Sequence, residues 1–238
     1  MAKYTTLYQH GTLALLVPGL LRGTMTMGDL LKHGDTGIGT GEGLDGELII
    51  LDGKPYQVDG DGNVNIVPDS FTMPFANIHY ARYSPLAESE NVSQDDLDEQ
   101  IVSLRSKAGN TFFSIKITGN FSNVKTRAVR KSEPPFHTLA ETARNQNVFT
   151  RDKVKGTLIG YYSPELFDGA AVAGFHNHFI SDDRKFGGHL LDFHLEKGEV
   201  SYQLFDTFEQ HLPVNDDQYM KHDFSTDNIA DTIHNAEG

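Results

Sequence analysis

The stretch from Ala171 to Phe193, AVAGFHNHFISDDRKFGGHLLDF, constrains the fold more than any other part of the chain. It carries His176, His178 and His189 within fourteen residues. Apolar residues around the first pair predict a strand, where residues two apart project from one face roughly 6.5 Å apart, at a rise of about 3.3 Å each. Two imidazoles so placed can converge on one ion. SDDRKFGG predicts a loop that returns the chain, so that His189 opens a second strand, HLLDFHL. Three neutral imidazoles around an open position are the ligand set of a catalytic Zn²⁺ site. His194 competes for that role, but five residues beyond His189 it should face the other side of the same strand. The spacing therefore favours His176, His178 and His189.

The chain of 238 residues contains no cysteine. Disulfides, thiolate catalysis and thiolate ligands are excluded together, and any metal must be held by nitrogen and oxygen. Three imidazoles also suit Cu, Ni, Co or Fe, so spacing leaves the metal open. A net charge of −13 argues against nucleic-acid binding, which needs a basic footprint. The apolar run Leu13–Leu21, broken by Pro18, is too short for a membrane span. It also lacks the basic start and cleavage site of a signal peptide, which makes the cytoplasm the expected compartment.

Along the chain, Thr26-Met-Gly-Asp29 predicts a capped short helix through Leu31, ended by Gly34. HGDTGIGTGEGLDG has GxGxxG-like spacing without a strand–helix context, so no nucleotide loop is expected there. Glu47–Leu51, Asp52-Gly53 and Pro55–Val58 read as a hairpin, and Asp59–Asn63 as a second turn lacking the closing Glu of a calcium loop. Residues 71–83 look extended. Ser93 caps an acidic helix with Leu97, Ile101 and Leu104 on one face. Strands follow at 111–118 and 124–130; Pro134-Pro135 opens a helix to about Asn145. Residues 146–154 link to a second half with strands at 154–162, in the histidine region and at 200–205. The tail, 225–237, predicts a short amphipathic helix bearing Ile229 and Ile233. Gly46-Glu47-Leu48 echoes Gly188-His189-Leu190, which raises an internal duplication. The residues thus predict mixed sheets, divided into an N-terminal α/β unit (1–150) and a β-rich unit (151–238) that carries the histidines.

LDGELI at 44–49, KTRAV at 125–129 and GFHNHFISDDRKFGGHLLDF at 174–193 together resemble the α-acetolactate decarboxylase family, over nearly the whole chain. The histidine motif is the specific part. The resemblance implies a two-domain α/β enzyme of the α+β type, usually a homodimer, with one Zn²⁺ per subunit in a cleft between the domains. It would convert (S)-2-acetolactate to (R)-acetoin and CO₂. Matched motif by motif, the ligands are His176, His178 and His189. The family's acid in DGEL falls on Glu47 and its arginine in TR on Arg127, with Arg130 a nearby alternative. A second glutamate falls on Glu237, and a pocket-lining residue on Thr40.

The chemistry accounts for such a set. Losing CO₂ from a β-keto acid drives two electrons into the neighbouring ketone, and a Lewis acid there meets the charge as it develops. A permanently charged arginine suits the carboxylate or the enediolate. A glutamic acid must then protonate one face, which requires a raised carboxyl pKa. Glu47 and Glu237 share that role here. Two other readings use the same histidines: a zinc hydrolase with Glu47 as base, and a binding module whose closed metal site is structural.

Overall fold

Alternation of side chains along strands sorts this chain into two large sheets that face one another, with a two-stranded ribbon, Met25–Thr26 against Thr72–Met73, beside them. The computed structural model describes residues 4–237. The chain begins with β1 (Thr6–His10), α1 (Leu13–Leu16), β2 (Met25–Thr26), α2 (Met27–Leu30), β3 (Thr36–Gly41) and β4 (Asp45–Leu51). It continues with β5 (Lys54–Val58), β6 (Val64–Ile66), β7 (Thr72–Met73), β8 (Phe75–His79), β9 (Ser84–Ser93) and α3 (Gln94–Ala108). Then come β10 (Phe113–Ala128), α4 (Leu139–Arg144), β11 (Asn147–Ser163), β12 (Gly174–Ser181) and β13 (Gly187–Leu204). It ends with β14 (Thr207–His211), α5 (Asp217–Lys221) and α6 (Ile229–Glu237). No helix among the described residues is long and apolar enough to cross a membrane. The result is an α+β molecule dominated by its sheets, as expected.

The first sheet has the order β14-β1-β8-β3-β4-β5-β6. The second runs β10-β11-β12-β13-β9, and an added β10–β13 pairing closes four of its strands into a ring. Inside, Phe113, Ile115 and Ile117 alternate on β10 and meet Leu158, Phe179 and Leu195. Helix α3 adds Leu97, Ile101 and Leu104 to the same cluster, the stripe its spacing predicts. Ser93 caps it with a reciprocal bond to Asp96. Fully burying each such side chain stabilises the fold by roughly 1.5–3 kcal/mol.

Residue 150, near which the division is expected, lies inside β11. The chain leaves the first sheet after His79 and returns at Thr207, where β14 pairs in parallel with β1. Strand patterns report which face is buried but not which strand is the partner. Residues 147–154, expected to be a link, extend the β10–β11 hairpin, and their largely polar side chains reflect an exposed ribbon. Residues 200–205 are not a separate strand, since β13 reaches Leu204 without a break. The helix expected from Pro134 begins at Leu139, where the Thr138–Glu141 capping box satisfies its first turn. The glycine-rich stretch forms β3, a central strand lying so close to β8 that a Cβ at Gly37 would stand 2.3 Å from Asn77 O.

Between the sheets, Leu7, Ile38, Ile49 and Val58 pack on Ile159, Tyr161 and Ile180. Leu48 and Ile50 point the other way, toward α2 and Met73. Helices α1, α4 and α6 close one end with Leu13, Leu16, Leu139, Ile233 and Ala236.

One buried histidine makes this fold acid-sensitive. His10 Nδ1 lies 2.8 Å from His211 Nδ1 across the β1–β14 pair, and its Nε2 lies 2.8 Å from Thr24 Oγ1. Burial, and then the charge of His211, push the His10 pKa down from 6.5 to about 4. The folded chain therefore binds fewer protons here than the unfolded one. This contribution is complete above the unfolded pKa and is lost as the pH falls through the folded one. Acidifying from about pH 7.5 to about pH 4.5 should cost the wild type on the order of 2 kcal/mol more unfolding free energy than it costs His10→Asn. Equal losses in the two proteins, measured by denaturant titration, would remove His10 as the cause.

Candidate active site

Strand register assembles the site. On the second sheet, Arg127 of β10 sits opposite His189 of β13, and His189 sits opposite His178 of β12. One row across three strands thus reads Arg127, His189, His178. His176 lies two residues before His178 and shares its face. That face is also Ile180's, which looks toward the first sheet. From the opposite side, Glu47 of β4 shares its face with Ile49 and Leu51, and its partner in register on β3 is Thr40. The two sheets therefore present these groups to each other.

Each histidine offers a ring nitrogen within 4.8 Å of the others, and all three residues are buried. His178 Nδ1 lies 2.9 Å from Leu48 O and must donate to it, which leaves its Nε2 with a bare lone pair when the ring is neutral. That Nε2 lies 3.2 Å from His176 Nε2 and 3.3 Å from Glu47 Oε2. Burial, with the Arg127 charge second, lowers the His176 pKa to about 3. Burial, followed by the charge of His176, holds His178 well below its ordinary value. Both rings are neutral at pH 7, the state a metal ligand requires.

This donor set fits a divalent cation that takes nitrogen ligands. A ring nitrogen of His176 and a carboxylate oxygen of Glu47 each lie within 3.3 Å of the bare His178 Nε2, and a positive charge there reconciles the crowding. The Leu48 carbonyl fixes the His178 tautomer, an outer-shell bond typical of metal-bound imidazole. Among the described residues, no other group of three potential ligands is as close. His194 is apart from this cluster, with Nε2 donating to Asn91 Oδ1 at 3.0 Å.

A cavity of about 50 Å³ opens beside the cluster. Thr40, Glu47, Arg127 and His176 form its polar end, and Leu13, Leu16, Leu44, Phe75 and Val129 are part of its apolar wall. Thr40 Oγ1 donates to Gly46 O at 2.8 Å, which secures the β3–β4 turn. Arg127, buried, donates through Nη1 to Gln146 Oε1 at 2.8 Å and to Ala236 O, and its Nη2 lies 3.3 Å from His189 Nε2. Arg130 instead pairs with exposed Asp61, outside the site. Four of the seven residues singled out from sequence thus line one cavity, and His178 and His189 cluster with its lining residue His176. The seventh, Glu237, ends α6 next to the cavity-lining Ala236, and its side chain lies outside the described residues.

Sequence reasoning missed Gln146, the Leu48 carbonyl and the helical wall. A backbone carbonyl leaves no signature in a sequence. The wall did leave one, the apolar run Leu13–Leu21, but nothing in that run says what it covers.

The model of the alpha-acetolactate decarboxylase family matches residues 7–226. An alpha-acetolactate decarboxylase of Lactococcus lactis subsp. cremoris is 40% identical over 239 residues, covering 100% of each chain. One from Methanosarcina mazei is 39% identical, over 90% of this chain and 74% of its own. The crystal structure of alpha-acetolactate decarboxylase from Bacillus subtilis superposes with a TM-score of 0.92 at 32% identity, covering 98% of this chain and 99% of that one. A Staphylococcus aureus protein described as similar to the same enzyme gives 0.91 at 38% identity, covering 98% and 100%.

Proposed function

The chain belongs to the alpha-acetolactate decarboxylase family, and we propose that it converts (S)-2-acetolactate to (R)-acetoin and CO₂ at the cavity beside His176, His178 and His189. The observation that carries the reading is the convergence of three buried imidazoles, Glu47 and Arg127 from two facing sheets. Zn²⁺ is the metal proposed for the imidazoles. When bound, it supplies a Lewis acid for the negative charge that develops on the ketone oxygen.

The bond from C2 to the carboxylate breaks, CO₂ leaves, and the electron pair moves into the ketone to give an enediolate. Arg127, held by Gln146 and the Ala236 carbonyl, orients the carboxylate and then faces the anion left behind. Glu47 holds the proton that C2 must receive. Because it stands on the β4 side of the cavity, it reaches only one face of the enediolate, which sets the handedness of acetoin. Thr40 fixes the turn that places Glu47, and Glu237 is assigned a share in the proton handling. The apolar wall keeps water away from the anion. The zinc hydrolase is not favoured, because the full-length relatives are decarboxylases. A cytoplasmic homodimer completes the proposal, on the family resemblance.

The test is turnover of racemic 2-acetolactate by zinc-loaded and chelator-treated protein, with acetoin resolved by chiral chromatography. Zinc-dependent formation of one enantiomer is expected, with a lower rate in a chain ending at Ala236. Acetoin at the spontaneous background, with bound zinc verified, would overturn the reading; full activity in the shortened chain would remove Glu237 from it.

A further inference from the structure

His189 follows Gly187 and Gly188, so the strand that carries it opens on two residues with no side chain to hold it. Both glycines are there because β13 is squeezed from two sides. A Cβ at Gly187 would stand 2.5 Å from Phe179 O on β12, and one at Gly188, whose φ is 130°, would stand 2.5 Å from Arg127 O on β10. Glycine also has the most backbone freedom to lose on folding, so another group must fix where this strand starts.

The register beside it is irregular. From Ser122 to Lys125, β10 advances three residues while β13 advances two, from His194 to Asp192. From Lys125 to Thr126, β10 advances one residue while β13 advances two, from Asp192 to Leu190. These are two bulges of opposite sense, and only the second restores the register that sets Arg127 opposite His189. Without it, the Lys125–Asp192 register would continue and Arg127 would stand opposite Leu190. A slip of one residue turns every side chain to the other face of a sheet. The His189 ring would then point into the apolar interior, where Leu190 now packs, and Leu190 would point toward the cluster.

One side chain locks the restored register. Thr126, completely buried, is the first residue beyond the second bulge, and its Oγ1 donates to Gly187 O at 2.8 Å. That bond ties β10 to the first residue of β13 where the pairing of these two strands closes the ring. The loop leading into Gly187 is itself held by Ser181, whose N donates to Phe186 O at 2.8 Å and whose Oγ accepts from Phe186 N at 3.1 Å. We propose that Thr126 is a positioning residue for the metal site: its hydroxyl pins the start of β13 to β10 in the register that turns His189 toward His176 and His178. This rests on the reading of the three histidines as metal ligands.

The experiment measures Zn²⁺ affinity, by competition with a chelating dye, in wild type, Thr126→Val, Thr126→Ala and Thr126→Ser. The visible d–d spectrum of each Co²⁺-loaded protein is recorded alongside, because it reports how the ligands are arranged, and circular dichroism checks folding. Val keeps the shape of threonine without the hydroxyl, Ala loses the hydroxyl and adds nothing, and Ser keeps it. Groups that orient ligands from outside are worth roughly 10–100-fold in metal affinity. Folded Val and Ala proteins should therefore bind Zn²⁺ at least about tenfold more weakly, with an altered Co²⁺ spectrum, and Ser should stay within about threefold of wild type. A role in stability alone would lower the melting temperature of the Val protein and leave both metal readouts unchanged, which would overturn the assignment. So would a Ser protein that binds as weakly as Val, or Val and Ala proteins that both fail to fold, since the hydroxyl would then serve the fold as a whole. A wild type that binds no Zn²⁺ would take down the metal reading and this inference with it.

Discussion

Alanine in place of His178 should abolish metal binding and reduce acetoin formation to the uncatalysed background. His178 is fully buried at the centre of the cluster, its Nε2 facing both His176 and Glu47 and its Nδ1 bonded to Leu48 O. Removing it takes one of three imidazoles and leaves that carbonyl without its donor, a further cost of about 1–3 kcal/mol in stability. Reduced stability alone could therefore lower activity. His178→Asn separates the two effects, since its side-chain amide can still donate to Leu48 O but supplies no imidazole. Metal analysis beside circular dichroism checks both variants. A folded Asn variant that keeps one metal per chain and full turnover would remove the histidine cluster from the chemistry.

Glu47→Gln should lower kcat by about 10²–10⁴-fold, the range for loss of a positioned proton donor, while the metal stays bound. The substitution keeps shape and removes only the acid. Glu47 approaches from β4, whereas the three imidazoles belong to β12 and β13, so the ligand set survives it. Residual acetoin from this variant should lose its handedness, because protonation from solvent does not select a face. Less than about a tenfold fall in kcat, or loss of the metal along with activity, would sink the assignment of Glu47 as proton donor.

Much of the local structure was legible because local chemistry decided it. Ser93 and Asp96 spell a capping box whatever surrounds them, and Asp52-Gly53 between two apolar runs spells a hairpin. The HxH pair lies on one face because the side-chain period of a strand is two. Two elements misled for the same reason. Residues 147–154 are too polar to read as a strand until their pairing with β10 is seen, and β3 is too rich in glycine until its closeness to β8 explains it.

The sequence by itself determined the ligand chemistry: with no cysteine, three clustered histidines leave nitrogen as the principal donor. Thr40, Glu47 and Arg127 joined those histidines only through the resemblance to the family. What the sequence left open was the assembly. Arg127 reaches the cluster because β10 and β13 pair in a register that puts it opposite His189, and Glu47 reaches it because the first sheet packs across the second. The parallel return of β14 to β1 was equally invisible. Each depends on contacts between residues far apart in the chain, where hydrogen-bond register and inter-sheet packing choose the partner and local propensity carries no information about it.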